Sequence, residues 1–297
     1  MKLTNNKGYS ISHLLKSPLV IILVVAVVYA VVANLSFWVK IPPAGIAPIF
    51  PSAGIAIAAV LIYRRPALLG VFLGSFLYNA ISSYNGPFML LIQMFICIGA
   101  MTGAGAGAYL VRRFWNNEHP LSSGKNVLIL IIIGAICCCA ISPTVGVLSL
   151  SLGGVIPWRF FDYAWITWWL GDVTGVIVAA PFILAWNLKT PSHKNLGYKI
   201  EAILMGITTL VFCYYVFFQH IPMEYCLSIV LIYAAFRFGF RGVSTLAAVI
   251  AIFASIGTSI GTSVFTGDST NITLIHLYAF LKEYYWKPTI QLLNLLV

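Results

Sequence analysis

The chain has 297 residues, of which 61% are hydrophobic and 8% charged, against roughly 25% charged in a soluble domain. Its 7 acidic and 17 basic residues cannot clothe a water-facing exterior, so an ordinary soluble domain is excluded and a membrane is indicated. The formal charge of +10 does not indicate nucleic acid, because the basic residues come in ones and twos between apolar runs and form no stripe.

A helix needs about 20 residues to cross the ~30 Å hydrocarbon layer, where open backbone would be unsatisfied. In chain order the apolar runs predict spans near Pro18 to Val39, Pro43 to Tyr63, Pro66 to Ser82, Phe88 to Val111, Val127 to Leu152, Tyr163 to Trp186, Ile200 to Gln219, Met223 to Phe236 and Gly242 to Val264. The expected fold class is all-α, a polytopic helix bundle of nine spans. A tenth segment, Ile272 to Leu281, is about half the usual length and is followed by Lys282, Glu283 and Lys287, so it is marginal as a crossing. The expected organisation is a cytoplasmic N-terminal segment 1–17, a transmembrane domain 18–281 and a short tail 282–297.

Lys and Arg in short loops stay cytoplasmic during insertion. With the N-terminus inside, Lys2, Lys7, Lys16, Arg64, Arg65, Arg112, Arg113, Lys125, Lys189, Lys194, Lys199, Arg237 and Arg241 fall inside and only Lys40 and Arg159 outside. Adding or dropping a middle span would scramble that alternation. The run ending at Val39 is long and lacks a convincing small-residue cleavage site, so it reads as an anchor rather than a signal peptide.

Glycines four apart let another backbone approach one helix face. Gly70 and Gly74, then Gly99, Gly103 and Gly107, then Gly171 and Gly175, then Gly257 and Gly261 have this spacing. Internal packing is the expected use, with homodimerisation through the Gly99 face as the alternative. The six cysteines, Cys97, Cys137, Cys138, Cys139, Cys213 and Cys226, have no C-x-x-C pair and no His at ligand spacing. They are expected to be small packing residues, with neither metal nor cofactor.

The longest polar stretches, Arg112 to Asn126 and Asn187 to Lys199, are too short to enclose a core. Gly103-Ala-Gly105-Ala-Gly107 lacks the spacing of a phosphate-binding loop and lies within a span. His13, His119, His193, His220 and His276 fall at span ends or in connectors and partner no nucleophile. No catalytic residue is expected.

Two regions carry polar or helix-breaking residues at membrane depth. In Ile41-Pro-Pro-Ala-Gly-Ile-Ala-Pro-Ile-Phe-Pro-Ser-Ala-Gly-Ile-Ala56, four prolines deny a regular helix before Ser52, and Pro51 suits the first turn of the next one. Its other reading is an ordinary outer loop. In Trp165-Ile-Thr-Trp-Trp-Leu-Gly-Asp-Val-Thr-Gly175, followed by Pro181, Asp172 lies about nine residues into its span, ~13 Å deep. A carboxylate there either serves function or cross-links helices through hydrogen bonds, and the residues leave both readings open. Trp165, Trp168 and Trp169 read as an interfacial belt.

Phe50-Pro-Ser-Ala-Gly-Ile-Ala56, Gly70-Val-Phe-Leu-Gly-Ser-Phe-Leu-Tyr-Asn79, Trp168-Trp-Leu-Gly-Asp-Val-Thr-Gly175 with Pro181, and Phe236-Arg-Phe-Gly-Phe-Arg-Gly242 occur in this order. Together they resemble the first family of membrane-associated sensor (MASE) domains, from about residue 20 to 265. Phe50-Pro-Ser stands where that family usually has Trp-Pro-Pro. The resemblance implies a sensory input domain of the bacterial inner membrane, usually followed by a histidine kinase, a diguanylate cyclase or a phosphodiesterase. Here the chain stops at Val297, so the expectation is a truncated receptor or a bundle acting through a separate kinase or cyclase.

Asp172, flanked by Trp168 and Trp169 near the broken segment before Ser52, is the expected sensing element. Pro51, Gly54, Gly171 and Gly175 are expected close-packing and hinge positions, and Ser52 and Asn79 further signal candidates. Arg237 and Arg241 are expected at the cytoplasmic face, as a partner contact or as plain positive-inside anchors. The rival function is small-solute transport, which would also use a broken helix and an intramembrane carboxylate. Against it, residues 42 to 51 have no Pro-rich counterpart beyond Ser142-Pro143.

Overall fold

A computed structural model describes residues 17–39, 47–83, 86–115, 121, 123–187, 195–219, 221, 223–263, 276 and 280. The N-terminal segment, residues 40–46 of the Pro-rich stretch, nearly all of the tenth segment and the tail lie outside the described residues. Those described form helices without a strand. They are α1 (Pro18–Trp38), α2 (Pro51–Tyr63), α3 (Arg65–Ser83), α4 (Pro87–Phe114), α5 (Gly124–Leu152), α6 (Phe161–Asn187), α7 (Leu196–Phe218) and α8 (Glu224–Ser259).

Prolines open α1, α2 and α4, where a missing N–H costs nothing and the fixed φ suits the first turn. Six of the described helical runs are long and apolar enough to cross a membrane, and α2 is a shorter apolar helix. On α1, Leu19, Leu23, Val27, Val31 and Leu35 form one exposed stripe, and on α7 Ile203, Leu204, Ile207, Leu210 and Val211 do the same. Such faces suit lipid chains and would be a liability in water.

At 13 residues, ~20 Å, α2 is shorter than the hydrocarbon layer, and it lies at the centre. Its Ser52, Gly54 and Ala56 to Leu61 are buried against α1, α3, α4 and α6. At its far end Arg112 donates to the carbonyls of Val60 (3.1 Å) and Leu61, capping a C-terminus that carries partial negative charge. Arg64, at φ 62° and ψ −132°, then turns the chain into α3.

The same backbone device recurs inside α8, where Gly239 has φ 61° and ψ −156°. A Cβ added to Gly242 would lie 3.4 Å from the carbonyl oxygen of Ala234, whereas eight residues of straight helix span ~12 Å. The arms 224–238 and 240–259 therefore fold back on each other. With these arms taken separately, each apolar run of the sequence holds a described helical rod, but the run expected from Pro43 is helical only from Pro51, since residues 47–50 are irregular backbone ahead of the proline-opened first turn.

α5 departs from a regular helix in a way the apolar run did not foretell. Leu130–Cys137 is a π-helix and Cys138–Ala140 a 3-10 turn, just before Pro143. Proline lacks the N–H and crowds the carbonyl one turn earlier, here that of Cys139, which lies in the 3-10 turn. Near the end of the π-helical stretch the Ile136 carbonyl accepts from the indole of Trp169 at 2.9 Å.

One core joins α1 to α6, and a second joins α7 and α8 to Val178 of α6 and Ile49. Alternation of the rods brings the ends of α1, α3 and α5 to the same end of the bundle as the starts of α2, α4 and α6. Arg64, Arg65, Arg112, Arg113, Lys125, Lys199, Arg237 and Arg241 gather at the opposite end, against Arg159 among the described basic residues.

Candidate functional site

The described part of the Pro-rich stretch is tied to the middle of α6. Phe50 N–H donates to the Gly171 carbonyl at 3.0 Å, and the Thr174 hydroxyl approaches the Pro48 carbonyl at 3.3 Å. This strap, residues 47–50, hands the chain to α2 at Pro51, and the buried Ser52 hydroxyl donates to the Tyr29 carbonyl of α1 at 3.0 Å. Irregular backbone at that depth is tolerated because protein hydrogen bonds satisfy it.

Glycine makes this docking feasible. A Cβ on Gly175 would strike the Phe50 carbonyl and lie 3.1 Å from the Pro51 nitrogen. One on Gly54 would lie 2.9 Å from the Ala179 methyl and 3.0 Å from the Ala180 nitrogen. The close partner of the Gly171 and Gly175 face is thus the strap and the first turn of α2, rather than the side of another long helix. At Gly171 an added Cβ would find the Ala47 oxygen at an ordinary 3.5 Å.

Of the other glycines at this spacing, Gly257 meets Phe217 of α7, whereas Gly261 lies past the end of α8 at φ 75° with nothing within 4 Å of an added Cβ, so those two do not form a packing face. Gly70 and Gly74 admit α1 at Ile22, Val25, Ala26 and Tyr29, while Gly99, Gly103 and Gly107 admit α5 around Cys138 to Val145. In this bundle the Gly99 face is occupied internally.

Asp172 lies on α6 eleven residues after Phe161, ~17 Å along a helix of ~40 Å. It is 3% exposed. Its Oδ1 has no hydrogen-bond partner among the described residues, while Ser142 of α5 faces the carboxyl group. The carboxyl group borders a small internal cavity of about 20 Å³, whose wall also includes Tyr29, Ala100 and Ser142.

Those three residues also line a chamber of about 440 Å³. Ser36 and Phe37 of α1, Asn79 of α3, Met89 of α4, Leu150 of α5 and Tyr163 of α6 lie toward its mouth, at the bundle end away from the arginines. Tyr29, Ser75, Ser142 and Gly171 lie deeper, and Phe50, Tyr78, Ala164, Thr167 and Trp168 are also part of the wall. The aromatic rings pack on one another: Tyr29 meets Phe50 edge-on at 6.2 Å, and Phe50 meets Tyr78 at 6.0 Å. No Lys, Arg or His is among the described lining residues.

The neighbouring tryptophans divide their work. Trp168 lines the chamber and lays its ring where a Gly146 side chain would be. Trp169 stacks on Trp165 at 5.7 Å, and Trp165 donates to Thr144 at 2.8 Å, so this pair staples α6 to α5. Asn79 spends its side-chain amide on the Ser75 carbonyl at 2.8 Å, and its own carbonyl accepts from Gln93 at 3.1 Å. It therefore braces the chamber mouth between α3 and α4.

The two arginines are engaged within the bundle. Arg237 pairs with Glu201 of α7 at 2.6 Å, Tyr233 donates to the same carboxylate, and Tyr198 lies beneath the guanidinium. Arg241 donates to the Ala185 carbonyl at 3.2 Å and covers the Trp186 ring, capping α6 as Arg112 caps α2.

Tyr29, Ser75, Ser142 and Thr174 were not singled out by the sequence as site residues. Each is an isolated polar group in an apolar run, and only its depth and its neighbours mark it. No set of three or more His, Cys, Asp and Glu side chains among the described residues is grouped as metal ligands would be.

An all-helical bundle with lipid-suited faces, an internal chamber and a buried carboxyl group with one oxygen unpartnered among the described residues has the make-up of a multi-pass membrane protein. Residues 18–281 match the MASE1 family model, and the chain belongs to this family of membrane-associated sensor domains. No curated protein and no solved structure matches the chain.

Proposed function

We propose that the chain receives a stimulus at the chamber and passes a helix rearrangement to a histidine-kinase or cyclic-di-GMP output protein, without catalysis of its own. The observation that carries this reading is the joining of three elements at one point. The chamber wall, the strap and the buried Asp172 meet on the Gly171 to Gly175 turn of α6. A ligand or proton that alters this turn has the strap, α2 and α6 as direct levers.

The proposed setting is the bacterial inner membrane, with nine crossings and a cytoplasmic N-terminus. The reversals at Arg64 and Gly239 support the half-length crossings, and the gathering of arginines at one end supports the orientation. The chamber then opens on the outer side and the arginine caps lie on the inner side. There Arg237 and Arg241 act first as internal fasteners, so a partner contact would use the surface around them.

The test is a chimera of residues 1–281 with a reporter kinase or cyclase, carrying Ala164→Phe at the chamber wall. Altered output at normal protein level is expected. Unaltered output, together with saturable solute uptake by the purified protein in vesicles, would replace the sensory reading with transport.

A further inference from the structure

The two cavities differ in size and chemistry in a way that specifies a ligand, given the sensory reading above on which this inference rests. The small cavity, about 20 Å³, has room for one water-sized group. Its oxygen-bearing side chains are Asp172, Ser142 and Tyr29, and the rest of its wall is mainly apolar, with Ala53, Ala56 and Ile57. A hard metal ion wants six or more oxygens, which this wall does not offer. A primary ammonium group is water-sized, carries three donors and is satisfied by three acceptors.

Charge points the same way. An ionised carboxylate buried without a partner is costly, and in a membrane interior it is paired or neutral. Asp172 Oδ1 is unpartnered among the described residues at 3% exposure, and Ser142 offers the carboxyl group a neutral hydrogen bond and no countercharge, so a cation placed in the small cavity gains a charge-assisted hydrogen bond and offsets the cost of the buried negative charge. The chamber next to it shares Tyr29, Ala100 and Ser142 as wall. Its described lining has aromatic rings, hydroxyls and no basic side chain, which suits the body of an organic cation and disfavours an anion. At about 440 Å³ it lies within the roughly 300–1,000 Å³ range of small-molecule sites.

We infer that the chain binds a small primary amine as its ammonium ion, with the ammonium group in the Asp172 cavity and an apolar or aromatic body in the chamber. Tyr29 and Ser142 stand at the junction and orient the head group. Phe50, at the end of the strap, meets the body of the ligand. Occupancy is thereby coupled to the Phe50 to Gly171 hydrogen bond and so to the seat of α2 on α6.

The experiment is calorimetric titration of the full chain in lipid nanodiscs with 2-phenylethylammonium, 2-phenylethanol and phenylacetate, three skeletons of one size and different charge. Empty nanodiscs supply the partitioning background. Saturable binding of the ammonium ion at least tenfold tighter than the alcohol, with phenylacetate weakest, is expected. Asp172→Asn should abolish the preference for the ammonium ion while leaving binding of the alcohol in place, and Asp172→Glu should restore part of it. Equal binding of ammonium and alcohol, no saturable ammonium binding, or a preference that survives Asp172→Asn would overturn the inference. If Asp172→Asn does not accumulate, the charge series on the unaltered chain decides alone. An output chimera that responds to Ala164→Phe in a chain that binds no ammonium ion sinks the ligand class and keeps the sensory reading. Ammonium binding beside an indifferent chimera keeps the site and sinks that reading.

Discussion

Gly171 and Gly175 lie one turn apart on α6, yet the strap treats them differently. Gly175 faces the Phe50 carbonyl with no space for a methyl group, whereas at Gly171 the nearest atom would be at ordinary contact distance. Gly175→Ala should therefore lower stability by about 1–3 kcal/mol, the usual cost of overpacking. Gly171→Ala should stay near neutral. Gly206→Ala, on α7 with nothing within 4 Å, should also stay within about 0.5 kcal/mol. Thermal unfolding of the three variants in one detergent checks the order; equal effects at 171 and 175 would mean that the strap does not dock there. The sequence marked both glycines by their spacing, but spacing cannot say which residue faces the carbonyl. Asp172 was legible because a carboxylate in an apolar run is chemically conspicuous. Ser142 was not, because a serine hydroxyl costs little to hide on a helix by bonding its own backbone, and Tyr29 was not, because a tyrosine in an apolar run is an ordinary amphipathic aromatic; only tertiary packing brings the two beside Asp172.

At the scale of elements, the rods follow from the apolar runs, which end at charged joints or at joints holding Gly and Pro, although the run from Pro43 becomes helical only at Pro51. What the runs could not convey is how the joints turn. Arg64 and Gly239 share a positive φ, a conformation ordinary side chains adopt at a cost of about 1–3 kcal/mol. A Cβ at Gly239 would meet nothing within 4 Å, so Gly239→Ala should show this backbone cost by itself, as a lower unfolding temperature with unchanged helix content by circular dichroism. Arg64→Gly should do the opposite and relieve strain, raising the unfolding temperature. The π-helical stretch of α5 was equally out of reach, since Pro143 signals a disturbance and not which register the preceding turns adopt. The arginine caps form a third such case. Arg112→Ala leaves the Leu61 carbonyl at the buried end of α2 without the guanidinium and the Val60 carbonyl with the Arg64 N–H as its remaining donor, and a loss of about 1–3 kcal/mol is expected. Arg113→Ala, one residue on, should cost less.

Across the whole molecule, the basic end and the chamber end define a polarity that insertion must fix. Alkaline phosphatase fused after Asn85 or Asp268 should be active, and fused after Trp115 or Lys194 inactive; the reverse pattern would turn the bundle over and place the chamber mouth on the cytoplasmic side. In the sensory reading proposed above, Asp172 belongs to the switch and is more than a fastener between α5 and α6. A chimera of residues 1–281 with a reporter kinase or cyclase, carrying Asp172→Asn, tests this most directly when protein level and output are scored separately. Normal abundance with output locked high or low is expected, with a similar result for Asp172→Leu. Loss of abundance in both variants, with unchanged output per molecule, would contradict it and make Asp172 a structural cross-link.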